Sequence, residues 1–583
     1  MMKEAQTRTQ ETAPMEWGSD AMAELLRRLG LEYVALNPGA SYRGLHDSIV
    51  NYLGNKDPQI ILCLHEEHAV AIAHGYSKVT GRPMGVILHS NVGLMHASMA
   101  IYCAWCNRAP VIIIGATGPI DATIRRPWID WIHTSQDQGA LVRYFTKWDD
   151  QPGSVSAALE SLLRASLIAQ TPPKGPVYVC LDVALQESRL GHPVPIPDIN
   201  RFMPPGPVWP SPKEVRAAAD SLLKASKPLI LAGRVSRDKE DWNRRVELAE
   251  TLGASVLTDV KTAASFPTNH PLHPVDPGIF ISKEAARLIR EADAILSLDW
   301  MDLAGTLKQA WGDDPVKAKV IHCSLDTYNH RGWSMDYFGL PPLDILLLSD
   351  PDILVKSLLE IIAGTNDNKT PGRNSKGWFK PKKTIVETGI CTSGEIRLRD
   401  IASCLKQFKN EHQICLTGLP LRWPEGIYDY TGPFDYLGKD GGGGVGSGPG
   451  IAVGAAMALK NSGRVPVAIL GDGDYLMGVN ALWTAAHYRI PLLIIVANNR
   501  SYHNCEIHQL KTAQKRDRPV ENRGIGQRIS DPPVDIAGIA RAQGLDAQGP
   551  VTHADALPSA LKRGLEAAEE GKCYVVDVIF EPD

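Results

Sequence analysis

Apolar runs alternate with amphipathic stretches along most of the chain. Runs rich in Val, Ile and Leu, closed off by Gly, Pro or polar residues, read as strands buried on both faces. The stretches between them repeat apolar residues every three to four positions and read as helices. Strands are expected at 33–36, 85–88, 111–115 and 177–181 in the first block, and at 228–233, 294–298 and 319–323 in the second. The third block carries them at 465–470, 491–497 and 574–580. The proline-rich segments 192–197 and 204–207 read as an extended surface linker, and the polar, basic stretch 364–383 as a flexible one. Such alternation predicts parallel sheets covered by helices. The fold expected is α/β: three consecutive doubly wound parallel-sheet domains over 17–190, 208–363 and 390–583. The last strand lies close to the end of the sequence, so a C-terminal lid is not expected.

Composition narrows the function only by exclusion. A chain of 583 residues is too long for one domain. Its 44% hydrophobic and 22% charged residues describe an ordinary globular protein, and a net charge of -4 favours neither nucleic acid nor a membrane surface. No apolar run is long enough to span a bilayer, and the polar N-terminus has no signal-peptide core, so a cytoplasmic location is expected. Ten cysteines are scattered without a disulfide framework. Cys103-x-x-Cys106 has no companion pair and reads as one side of a buried helix over 97–107.

The chemistry concentrates near the C-terminal end. Gly471-Asp472-Gly473-Asp474 follows one apolar run directly, and Asn498-Asn499 follows the next, with a helix expected between them over 475–488. Asp472 and Asn499 then fall at the C-terminal ends of two strands of one βαβ unit, where open α/β sheets bind ligands. A carboxylate and an amide oxygen suit a hard dication that also holds a diphosphate, and Gly471 and Gly473 let backbone N–H groups approach phosphate oxygens. This pattern resembles the signature of thiamine diphosphate enzymes. Three α/β domains with the motif in the last resemble the acetolactate synthase, benzoylformate decarboxylase and pyruvate oxidase group. The resemblance implies that Asp472, Asn499 and the backbone carbonyl of Ser501 ligate Mg2+, which bridges the diphosphate. Asp474 stands where the family carries small residues. A second carboxylate beside a diphosphate costs binding unless it is turned away or paired.

Other stretches resemble the same family. The segment 64–78 matches the pattern L-x-E-x-x-x-x-x-I-A-x-G-Y and selects Glu66 over Glu67 as the acid that activates the cofactor's pyrimidine ring. The glycines of 440–450 lack the preceding strand that a dinucleotide fingerprint needs, because 428–439 is polar and turn-rich. By resemblance they form a backbone surface against the cofactor, with Val445 beneath it and the Gly443 carbonyl holding its amino group. Asn37 opens the N-P-G turn at the end of the first strand. Ala40 then stands where benzoylformate decarboxylase carries a substrate-binding serine, with Ser41 next. His89 matches the family's proton-transfer histidine, a residue type suited to that task near neutrality. The family's second histidine, from the middle domain, has no counterpart in 298–303, which leaves His503 and Glu506 as candidate replacements. Gln136 resembles a glutamine placed near the cofactor. The basic stretch 511–528 reads as a solvated face or as a seat for an anionic substrate tail. Arg234 and Arg237 follow the first strand of the middle domain, which in relatives carries FAD or the ADP part of coenzyme A.

The function expected is a thiamine diphosphate- and Mg2+-dependent lyase, decarboxylase or carboligase acting on a 2-oxo acid. Acetolactate synthase-like carboligation and 2-hydroxyacyl-CoA cleavage are alternatives, and a flavin or nicotinamide oxidoreductase is the rival from another class. The resemblance also implies a homodimer or homotetramer in which Glu66 of one chain meets Asp472 of another.

Overall fold

The computed structural model describes residues 14–327, 339–364, 377–380 and 394–582. The polar N-terminus up to residue 13, most of the 364–383 linker and the domain start at 390 lie outside the described residues.

Three parallel sheets follow one another. The first holds β1 (Tyr33–Leu36), β2 (Gln59–Leu62), β3 (Met84–Ile87), β4 (Val111–Thr117), β5 (Asp149–Asp150) and β6 (Val177–Asp182), in the order β2-β1-β3-β4-β6-β5. The second holds β7 (Pro228–Ala232), β8 (Ser255–Leu257), β9 (Ala294–Leu298), β10 (Lys319–Cys323) and β11 (Ile345–Leu347), in the order β11-β10-β9-β7-β8. The third holds β12 (Ile414–Gly418), β13 (Val465–Gly471), β14 (Leu492–Asn498), β15 (Asp546–Val551) and β16 (Cys573–Ile579), in the order β12-β13-β14-β16-β15. Every strand pairing within these sheets is parallel. The central strands β4, β6, β13 and β14 are buried almost throughout, as continuous apolar runs dictate when helices cover both faces.

Six helices position the chemistry: α1 (Glu66–Thr80), α2 (Ser90–Cys106), α3 (Gly448–Leu459), α4 (Asp472–Gly478), α5 (Ala481–Tyr488) and α6 (His503–Lys515). The single helix expected over 475–488 is therefore two, broken at Val479 and Asn480, and it starts at Asp472 itself. Cys103 and Cys106 sit buried on α2 as free thiols, the arrangement the spacing predicted.

Helices α1 and α3 join the first and third sheets. They cross backbone to backbone: a Cβ on Gly75 would lie 2.0 Å from the Ile451 carbonyl oxygen, and one on Gly454 would lie 1.9 Å from that of Ile72. Their apolar faces belong to one continuous core that includes Val86 and Ile113 of the first sheet and Ile494 and Val496 of the third. The middle domain is tied in differently. Arg108, just beyond α2, reaches the strand ends of the second sheet and donates to Asp299 at 2.9 Å and Asp326 at 2.7 Å. Burial alone would push Asp299 up, but Arg108 and Arg234 hold it below the usual carboxylate range.

Candidate active site

The third sheet opens a cavity of about 520 Å³ at the carboxyl ends of β12, β13 and β14. Its wall includes Asp472, Asn499, Ser501, Gly443, Val445, Gly471, Gly473, Asp474 and His503. The two halves of the GDG and NN pattern thus converge as their strand-end positions require. Asp472 Oδ2 and Asn499 Oδ1 each accept from the Ser501 N–H at 3.0 Å, so both oxygens stand beside one backbone turn. Burial pushes Asp472 up to about 6, against the lowering pull of the Gly473 and Ser501 N–H groups. Asn498, the first of the pair, is structural: it donates to Asp577 and accepts from the Arg500 N–H, where the chain turns through a left-handed residue.

Asp474 turns towards the glycine segment. Its Oδ1 accepts from the N–H groups of Gly446 at 2.6 Å and Gly448 at 3.3 Å, which braces the loop and the first turn of α3. Burial pushes it up to about 6. The second carboxylate is thus paired with backbone, the condition under which it is compatible with a diphosphate nearby. Gly443 has φ +66°, and nothing lies within 4 Å of where its Cβ would stand, so it forms an open backbone surface on the cavity. Val445 is 45% exposed despite its apolar side chain, a cost that burial against a ligand in the cavity would remove.

The structure separates His503 from Glu506. His503 heads α6 and lines the cavity, with Nε2 buried and lacking a hydrogen-bond partner, and burial pushes its pKa down. Glu506 lies behind the wall and accepts from Ser501 Oγ at 2.5 Å. Burial alone would raise it, but Ser501 together with Arg528, His503 and Arg523 holds it below the usual carboxylate range. It is a brace for Ser501.

The residues expected from the first domain form a second cluster, at the carboxyl ends of β1, β2 and β3. Glu66 is the buried first residue of α1. His89 precedes α2, and a Cβ on Gly93 would lie 3.2 Å from His89 Cβ and 3.3 Å from Glu66 Oε1, so the two side chains are neighbours. Ser41 Oγ stands 2.8 Å from His89 Nδ1 and accepts from the Ser90 N–H at 3.0 Å. Burial and the neighbouring His133 push His89 down. Asn37 donates to the Cys63 carbonyl at 3.1 Å and so pins the end of β1 to that of β2. Gln136 is exposed on a turn, whereas Gln138 is the buried glutamine, donating to Tyr178 and Ala116. None of the first-domain candidates lines the third-domain cavity. Sequence reasoning passed over Ser41 as an orienting group, His96 beside Glu66 at 3.0 Å, and Leu421 and Arg422 on the cavity rim. The last two were findable, since the loop after a parallel strand borders the ligand crevice.

Comparison with known proteins gives the family. Residues 16–141 match the thiamine pyrophosphate enzyme N-terminal TPP binding domain, 215–331 the central domain, and 417–578 the C-terminal TPP binding domain. The chain belongs to the thiamine pyrophosphate enzyme family. It is 25% identical over 574 residues to benzoylformate decarboxylase of Pseudomonas aeruginosa, covering 96% of this chain and 99% of that one. It is 24% identical over 501 residues to the acetolactate synthase large subunit of Haemophilus influenzae, covering 83% and 82%. The crystal structure of benzoylformate decarboxylase from Polynucleobacter necessarius superposes with a TM-score of 0.78 at 21% identity, over 98% of this chain and 100% of that one. Among the described residues, no helix is long and apolar enough to cross a membrane.

Proposed function

We propose that this protein cleaves the carbon–carbon bond beside the carbonyl of a 2-oxo acid, as a thiamine diphosphate- and Mg2+-dependent decarboxylase of the benzoylformate type. The observation that carries this reading is the convergence of Asp472, Asn499 and the Ser501 turn on one cavity that also presents Gly443 and Val445. The donor set there is all oxygen, which suits Mg2+. The open backbone at Gly443 and the half-exposed Val445 offer a cradle for a flat ring system. When bound, thiamine diphosphate supplies a nucleophilic carbon and an electron sink for the bond that breaks. Asp472, Asn499 and the Ser501 carbonyl hold the metal. Asp474 keeps the glycine loop in register, and Glu66 offers its carboxyl to the pyrimidine nitrogen. His89, oriented by Ser41, carries a proton to or from the substrate side, and His503 faces the third-domain cavity from the head of α6.

The site is completed by a second copy of the chain. Glu66 and the cavity lie on different domains, and the cavity wall contains no first-domain residue. Each half also carries an exposed apolar rim: Leu421 and Val445 at the cavity, Leu64 and Met95 in the segments that carry Glu66 and His96. Burying such rims against each other is the ordinary reason for their exposure. Co-expression of Glu66→Gln chains with Asp472→Ala chains tests the sharing, since mixed dimers contain one intact site and regain activity that each parent lacks. The reaction itself is tested with a panel of 2-oxo acids in the presence of thiamine diphosphate and Mg2+, reading CO2 and aldehyde. Release of aldehyde without CO2, or turnover confined to acyl-CoA compounds, would refute the decarboxylase reading.

A further inference from the structure

Glu66 shares the head of α1 with two imidazoles. His65 is the N-cap of that helix, and His96, on α2, brings Nδ1 to 3.0 Å from Glu66 Oε2. The His65 and His96 rings stack with centroids 4.9 Å apart and planes 22° from parallel. One ligand atom from each of His65, Glu66 and His96 lies within 4.8 Å of the other two. Two imidazoles and a carboxylate, held on two helices and open on one side, are the donor set of an open zinc-type site. That set differs in kind from the oxygen-only cradle of Asp472, Asn499 and Ser501, which suits a hard ion.

We infer that His65, Glu66 and His96 form a binding site for a borderline transition-metal dication of the Zn2+ class, and that its occupation withholds Glu66 from the cofactor. In the single chain, before a second copy covers this face, the His96 side chain is 51% exposed and that of Glu66 only 7%, so an entering ion meets His96 first and closes on the buried carboxylate. Ligation needs neutral imidazoles, so any proton shared between His96 and Glu66 passes to water. His65 exchanges the 3.2 Å bond it accepts from the Glu67 N–H for the ion. The metal site stands on geometry alone, whereas its effect on the cofactor rests on the proposed role of Glu66.

Co2+ is the probe, since a His- and carboxylate-bound ion absorbs in the visible. Full-length protein stripped of metal and cofactor is dialysed against Co2+, and bound metal and absorption are read together. The wild type and Asp472→Ala are expected to retain the visible band, and His65→Ala and His96→Ala to lose it. His96→Gln is expected to lose it as well, and it decides the matter if the alanine variant melts early. A band that survives in both histidine variants, or that only Asp472→Ala removes, overturns the site. Adding thiamine diphosphate with Mg2+ is expected to lower Co2+ uptake by the wild type. Unchanged uptake in protein that demonstrably binds the cofactor overturns the competition while leaving the metal site standing.

Discussion

Alanine at Gly75 sets two effects of opposite sign against each other. In a helix interior, Gly to Ala normally gains about 1 kcal/mol from propensity. Here the new methyl would lie 2.0 Å from the Ile451 carbonyl oxygen, 2.8 Å from its carbon and 2.9 Å from the Ala455 nitrogen. All three are backbone atoms of α3, so no side chain can swing aside. Real Cβ contacts stay beyond 3.0 Å, so α1 and α3 must part by at least the missing ångström. Overpacking of this kind costs about 1–3 kcal/mol and sometimes more, and separated helices forfeit dispersion along their whole contact. The net expectation is a loss of about 2 kcal/mol. Gly454→Ala meets the Ile72 oxygen from the other helix and should cost as much. One separation relieves both clashes, so the double variant should lose less than the sum of the singles. Urea unfolding followed by circular dichroism measures this, compared as midpoints because a chain with three sheets need not unfold in two states. A Gly75→Ala midpoint above wild type would refute the reasoning, since it would mean that propensity outweighs a contact that yields easily.

Other expectations follow from the same structure. Asp472→Ala should raise the Mg2+ requirement for cofactor binding by more than the roughly 10–100-fold typical of a residue behind a metal ligand, read by cofactor titration at several Mg2+ concentrations. Asp474→Ala removes the acceptor for two loop N–H groups and should cost about 1–3 kcal/mol of stability, with weaker cofactor binding at unchanged Mg2+ dependence. Burial raises Glu425 from 4.5 to about 8. The folded chain therefore keeps a proton between those values that the unfolded chain has lost, and stability should fall as pH rises across that window, by at most about 5 kcal/mol at 1.36 kcal/mol per unit. Glu425→Gln should flatten this slope in thermal melts from pH 5 to 9. An unchanged slope would place the titration elsewhere.

The sheets and the convergence of Asp472 with Asn499 were legible because both depend on short-range pattern. Apolar runs bounded by breakers fix β13 and β14, and strand ends fix where Asp472 and Asn499 stand. The glycine segment was also readable, since 428–439, directly before it, holds no strand. What sequence could not supply was the direction in which each side chain points. Asp474 faces the Gly446 and Gly448 amides, a partner from a distant stretch that no local pattern names. Glu506 and His503 are three residues apart on one helix, yet a single turn places one behind Ser501 and the other on the cavity. The break in the helix after Gly478 escaped a periodicity reading because Val479 and Asn480 preserve the apolar spacing across it.

Arg108 bears on what the middle domain can become. In an open α/β sheet, the crevice beyond the strand ends is where a nucleotide would settle. In this chain a guanidinium from another domain already sits there, held by Asp299 and Asp326. A phosphate arriving at that crevice would find Arg108 already engaged by both carboxylates, with Arg234 also beside Asp299. The strand ends of the middle sheet thus double as a joint with the first domain, so a change at Arg108 is felt in both.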